Sequence, residues 1–166
     1  EMESLMGIID EIRQITGEEN VFDDRAECLC YSRDMSVHEG IPDAVVFPRT
    51  TEQVSSIMKL AHREKVPVIA RGTGTSVTGA VLAVRGGLIL DLHLMNRIIE
   101  INKKDFYARL ETGVICDNLN QVLAKEGLMF PPNPGSEVVA TIGGMVSTNA
   151  SGHRAVKYGT TRDYIK

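Results

Sequence analysis

The 166-residue sequence has no tryptophan, only three cysteines, and aromatic residues at just 5% of its positions. A platform for nucleic acid needs aromatics gathered along a basic groove. Here the four tyrosines and four phenylalanines are scattered and the net charge is -4, which argues against nucleic acid as a partner. Cys28, Cys30 and Cys116 are too few and too odd in number for a disulfide framework, and they suit a reducing compartment. Cys28-Leu29-Cys30 has no second cysteine pair, so these residues read as reduced structural thiols and no metal site is expected. No apolar run approaches the roughly 20 residues that span a bilayer. The first ten residues carry acids where a secretory signal would carry bases.

What is present is ordinary globular composition, 43% hydrophobic and 24% charged, enough for one domain or two small lobes sharing a core. Leu5, Ile8, Ile9, Ile12 and Ile15 recur at helical spacing and Gly17 follows as a stop. A helical turn is expected near residues 25 to 29. Residues 44 to 47 form a short strand closed by Pro48. Thr50 or Thr51 caps a helix over 51–64 whose apolar face is Val54, Ile57, Met58 and Ala61. Residues 66 to 70 read as a buried strand and residues 88 to 92 as a second strand. Residues 98 to 111 read as an antiparallel hairpin turning at 102 to 105. A helix follows Gly113 at about 117 to 125, then a rigid passage at 131 to 135, Pro-Pro-Asn-Pro-Gly. Residues 141 to 151 suggest a helix entered tightly through Gly143 and Gly144. Strand-helix-strand followed by a hairpin predicts an α+β architecture in two lobes.

The chemistry concentrates in two glycine-rich stretches. In the first, Arg71-Gly72-Thr73-Gly74-Thr75-Ser76, glycines follow a strand directly. Glycine lets the backbone turn sharply, so several N–H groups can point at one anion, while the hydroxyls and Arg71 add donors and charge. A P-loop is excluded because Ala80, not Gly-Lys-Ser/Thr, follows Gly79. The G-x-G-x-x-G fingerprint fails at Val77. Asp91 mimics that fingerprint's ribose-binding acid, but residues 77 to 87 do not make the helix it requires. Taken alone, the loop reads equally as a phosphate cradle and as a tight turn without ligand.

The second stretch includes Gly135, Ser136, Thr141, Ile142, Gly143, Gly144, Thr148, Asn149, Ala150, Ser151 and Gly152. Small hydroxyl-bearing residues leave exposed backbone N–H groups and no bulk against a flat ligand. Close helix packing is the competing reading. Two such stretches in one short chain favour an extended, partly anionic ligand.

In order and spacing, Tyr31-Ser32-Arg33-Asp34, residues 42 to 48, 71 to 79, 127 to 136, 141 to 152 and 157 to 163 resemble one family. It is the FAD-binding domain of the p-cresol methylhydroxylase/vanillyl-alcohol oxidase flavoproteins, in the branch of D-lactate dehydrogenases and the FAD-linked subunit of glycolate oxidase. The resemblance implies a two-lobed α+β FAD-binding domain at 41–166, incomplete at its C-terminus, after an N-terminal helical segment at 1–40. It places the first phosphate loop on Arg71, Gly72, Thr73, Gly74, Thr75 and Ser76, with Gly79 closing it. The second flavin-contacting stretch falls on Gly135, Ser136, Thr141, Ile142, Gly143 and Gly144, and the third on Thr148, Asn149, Ala150, Ser151 and Gly152. Some members attach FAD through a histidine in the first loop; Thr75 stands there, so non-covalent FAD is implied. Of the histidines, His38, His62 and His93 lie elsewhere, whereas His153 follows the third stretch within reach of a ligand.

The resemblance further implies an oxidoreductase that oxidises a 2-hydroxy acid, D-lactate or glycolate, by hydride transfer to flavin. It places the remaining flavin domain and a substrate-binding domain beyond Lys166, so these residues alone are expected to lack turnover and to contain no catalytic base. A non-catalytic flavin-binding module working with a partner subunit is the alternative. The expected setting is cytoplasmic, with the full-length protein peripheral to the membrane.

Overall fold

The computed structural model describes residues 2–166, with side chains from Met6 onward. It divides into two units, Glu1–Leu94 and Met95–Lys166. No helix among the described residues is long and apolar enough to cross a membrane.

In the first unit, helix α1 (Met2–Thr16) ends where Gly17 takes φ +95, a conformation costly to any residue with a Cβ. Ile8, Ile9 and Ile12 are buried and Ile15 packs beside them; Leu5, placed on the same face by its spacing, lies outside the described side chains. Strand β1 (Val21–Phe22) follows, then helix α2 (Arg25–Cys30), where Asp24 accepts the N–H groups of Ala26 and Glu27. Strand β2 (Ala44–Val46) leads to helix α3 (Thr51–Glu64). Thr50 is its cap, its Oγ1 accepting the Gln53 N–H at 3.2 Å. The buried face of α3 is Ile57, Leu60 and Ala61; Met58, expected inside, is 45% exposed. A helix advances 100° per residue, so Leu60 at i+3 from Ile57 takes the place that Met58 at i+1 cannot.

Strands β3 (Val68–Arg71) and β4 (Leu88–Asp91) complete a four-stranded sheet of order β1-β2-β4-β3. β4 pairs in parallel with both β2 and β3, and β1 pairs antiparallel with β2. Every residue of β4 is buried, as a central parallel strand requires. β3, expected to be buried, is an edge strand: Val68 and Ile69 are half-buried and Ala70 is exposed. Residues 77 to 87 form no helix.

The second unit opens with a hairpin, β5 (Ile98–Asn102) and β6 (Tyr107–Leu110). Arg97 braces its open end: the guanidinium and backbone N–H of Arg97 both donate to the Glu111 carboxylate, at 2.7–3.0 Å. That arginine holds the Glu111 carboxyl below its usual range. Helix α4 (Cys116–Ala124) and helix α5 (Ile142–Thr148) bury Cys116, Leu119, Leu123, Ile142 and Met145 in a core shared with Val114 and Ala140. Between them residues 131 to 135 run without regular structure, as three prolines dictate.

Candidate flavin-binding site

The first glycine loop leaves the end of β3, on the side of the sheet where parallel strands finish and where open α/β sheets bind ligands. Gly74 takes φ +72 and Gly79 φ +73, so the loop has two bends that side chains resist. A Cβ on Gly74 would stand 2.4 Å from an Nη of Arg71. Among the described residues, the backbone N–H groups of Gly74, Thr75 and Ser76 donate to no protein acceptor. Such a run of unclaimed donors behind a strand is what an anion cradle requires.

Arg71 is not extended toward solvent. It is 9% exposed; its guanidinium donates to the carbonyls of Arg33 (2.8 Å) and Tyr31 (3.3 Å) and lies 5.1 Å from the centre of the Tyr31 ring. The Tyr31 hydroxyl donates to Asp91 Oδ2 at 2.9 Å. Asp91 Oδ1 accepts the His93 backbone N–H at 3.0 Å and lies 2.7 Å from His93 Nδ1. Burial first, then the Asp91 charge, pushes the Tyr31 hydroxyl well above its ordinary range, so it stays a donor. Asp91, set aside as a ribose-binding acid because residues 77 to 87 do not make the required helix, is buried and engaged within the protein.

In the second unit the Gly135 and Gly152 stretches are brought together. Asn133 Nδ2 lies 3.1 Å from His153 Nε2, and a Cβ on Gly152 would fall 1.9 Å from the Asn133 carbonyl oxygen. Ser136 begins a turn whose carbonyl accepts the N–H groups of Val139 (2.9 Å) and Ala140 (2.7 Å). Thr141 caps α5 through Gly144 N–H, and Asn149 ends it in the left-handed conformation at φ +48. Thr148 Oγ1 turns back onto the Gly144 carbonyl at 3.0 Å. Ala150 carbonyl accepts both the backbone N–H and the hydroxyl of the buried Thr161. Ser151 is exposed.

One expectation changes here. The N–H groups of Ile142, Gly143 and Gly144 are not exposed: they donate to Val114 carbonyl (2.8 Å), Thr112 carbonyl (2.8 Å) and Thr141 Oγ1 (3.2 Å). α5 therefore offers no anion site at its start. Its glycines divide by role. A Cβ on Gly143 would collide with Thr112 at 2.6 Å, so close packing fixes that glycine, as it does Gly152. Gly135 has open space around it, and Gly144 meets only Thr141 Oγ1 at 3.1 Å; these two leave room for a flat ligand.

Asn133 is the residue sequence reasoning passed over. It is 4% exposed and its Oδ1 makes no hydrogen bond, an orphaned acceptor beside Gly135. Its position between two prolines was the available signal. In the second unit the unclaimed Asn133 acceptor could take a hydrogen-donating group, and in the first the three unclaimed N–H donors could take an anion. Among the described residues, no group of three or more His, Cys, Asp or Glu could hold a metal ion.

A model of the FAD binding domain family matches residues 42–166. The chain belongs to the FAD binding domain family. Glycolate oxidase subunit GlcD of Bacillus subtilis is 38% identical over 157 residues, covering 94% of this chain and 33% of that protein. The probable mitochondrial D-lactate dehydrogenase of Danio rerio is 40% identical over 159 residues, covering 95% of this chain and 32% of that protein. The crystal structure of p-cresol methylhydroxylase with substrate bound superposes with a TM-score of 0.78 at 24% identity, over 90% of this chain and 30% of that one. The fold is of the p-cresol methylhydroxylase type, and the cofactor of the family is FAD. The chain spans about a third of the length of the curated relatives it matches.

Proposed function

We propose that this chain is the FAD-holding portion of an oxidoreductase acting on a 2-hydroxy acid of the D-lactate or glycolate type. The observation that carries the cofactor part is the loop of residues 71–79. It combines two left-handed glycines with unclaimed N–H groups at Gly74, Thr75 and Ser76. These groups, with Gly72, Thr73 and Gly79, would hold the pyrophosphate, and Arg71 stands at the base of the loop. Gly135, Ser136, Thr141, Ile142, Gly143 and Gly144, followed by Thr148, Asn149, Ala150, Ser151 and Gly152, would line the remainder of the dinucleotide.

Attachment is non-covalent in this reading, because Thr75 stands where a histidine links FAD in some relatives. When bound, FAD supplies the two-electron acceptor for hydride removal from the α-carbon of the hydroxy acid. This chain's residues bind and orient; none is assigned as catalytic base. The names of the relatives support the substrate class. Residues 1–40 form an N-terminal segment before the domain at 41–166, and the setting is cytoplasmic, with a longer parent protein peripheral to the membrane.

Flavin content tests the cofactor reading. The purified protein should be yellow, and acid precipitation should release the colour into the supernatant. A colourless chain that takes up no added FAD would refute binding, and colour retained in the acid pellet would refute non-covalent attachment. Turnover separates the enzyme from a flavin-binding module that needs a partner subunit. Flavin-loaded chain should reduce an artificial acceptor with D-lactate or glycolate only when the remaining domains or a partner subunit are supplied. Turnover by the chain alone would exclude the module.

A further inference from the structure

Residues 31–40 lie upstream of the residues that the family model matches, yet they are bonded to the phosphate loop along its length. At the start of the loop, the Arg71 guanidinium holds the carbonyls of Tyr31 and Arg33 and lies over the Tyr31 ring. In the middle, Met35 N–H donates to Ser76 carbonyl at 3.0 Å. At the end, the His38 ring packs against Gly79, where a Cβ would come within 3.1 Å of it. Asp34 lies among these contacts. Its Oδ1 accepts Ser36 N–H at 2.8 Å, and its Oδ2 is buried with no hydrogen-bond partner among the described residues. Burial acts to raise the Asp34 pKa, but the Ser36 side chain and backbone, the nearby Gly79 backbone and the Arg71 charge outweigh it and hold the carboxyl low, so a carboxylate stands against the loop.

The far end of the segment is also fixed. Gly40 N–H donates to Ser32 carbonyl at 3.0 Å, closing the segment on itself. Gly40 then presses on the backbone of Ala83 and Val84, where a Cβ would intrude to 2.7 Å. The Tyr31 hydroxyl ties the near end to Asp91 at the close of β4.

We propose that residues 31–40 form a strap that sets the phosphate loop for FAD, with Arg71 and Asp34 as positioning residues rather than direct ligands of the pyrophosphate. The inference rests on the FAD reading above. Arg71 is committed to two carbonyls and a ring, so its charge stands behind the loop while backbone N–H groups remain for the phosphates. Preorganisation of this kind strengthens binding by lowering the ordering cost paid when the ligand arrives. A lysine cannot reproduce the planar fork that spans two carbonyls, even though it keeps the charge.

The test is FAD titration of the purified chain, followed by quenching of flavin fluorescence. It is joined to hydrogen exchange of the FAD-free protein, read on peptides covering residues 71–79 and, as a core control, 88–92. Asp34→Asn, Arg71→Lys and Arg71→Gln should each weaken FAD binding about tenfold or more. They should also speed exchange in residues 71–79 and leave 88–92 protected. Gly40→Ala changes no charge and lies outside the loop, and it should act in the same direction. If Arg71→Lys keeps wild-type affinity while Arg71→Gln loses it, Arg71 acts by charge alone and its positioning role is overturned. If wild-type protein binds FAD and all four variants bind it equally well, the strap is overturned and the FAD reading stands. If wild-type protein takes up no FAD, both fall. Should an Arg71 variant lose protection at 88–92 as well, Asp34→Asn and Gly40→Ala decide the matter.

Discussion

A side chain at position 74 would meet the Arg71 guanidinium in a backbone conformation that favours glycine. Gly74→Asp should abolish FAD uptake, because it adds negative charge in the cradle and competes with the strap carbonyls for Arg71. The left-handed conformation should cost only about 1 kcal/mol of stability, so circular dichroism should still report a folded chain. Full FAD uptake by this variant would sink the cradle. The thiols make an independent check. Burial raises Cys116 to about 11, and Cys28 is buried and also raised, whereas Cys30 is exposed. Alkylation followed by mass spectrometry should modify Cys30 first and Cys116 only on unfolding. The neutral Cys116 thiol favours the fold fully below an unfolded pKa of about 8.5; that contribution declines as pH rises and is gone above about 11. Residue types in the loop were legible from sequence, but the partners of Arg71 were not. Tyr31 lies 40 positions away from Arg71, and Asp91 lies 60 from Tyr31. No local pattern encodes such distances.

At the scale of elements, the Thr50 cap was legible because capping is local, and Thr50 does accept the Gln53 N–H of the helix it precedes; the Asp24 cap of α2 emerged only in the structure. Burial was less legible. β3 and β4 are both apolar runs, and only the order of strands decides which one occupies the centre. Likewise the N–H groups at the start of α5 looked free in a small-residue stretch, until residues 112 and 114 supplied the acceptors. The end of α3 shows a position that sequence alone disguises. Lys65 closes that helix at φ +60, where glycine is the usual occupant. Lys65→Gly should stabilise the chain by roughly 0.5–1 kcal/mol, raising the thermal midpoint by about 2–4 °C. A lowered midpoint would show that the lysine side chain contributes more than its backbone costs.

For the whole molecule, cofactor binding and stability are linked, because a ligand bound only by the folded state stabilises it. FAD at a hundred times its dissociation constant should add about 2.7 kcal/mol, seen as a rise of several degrees in the unfolding midpoint. No rise at saturating FAD would contradict a site formed by the fold. The sequence foresaw an α+β chain in two lobes, and the chain does divide into two units. The position of the division, between Leu94 and Met95, was not foreseen, since no proline- or glycine-rich linker marks it. The central place of β4 also bears on how the protein is made. β2 and β3 touch each other only through β4, so the sheet stays open until residues 88–91 have left the ribosome. At about 5–20 residues per second, α1 and β2 wait several seconds for the strand that completes their core. Throughout that interval Val45 lacks Ile89, its partner in the folded sheet. Nascent chains are therefore most exposed to chaperone capture just before β4 emerges.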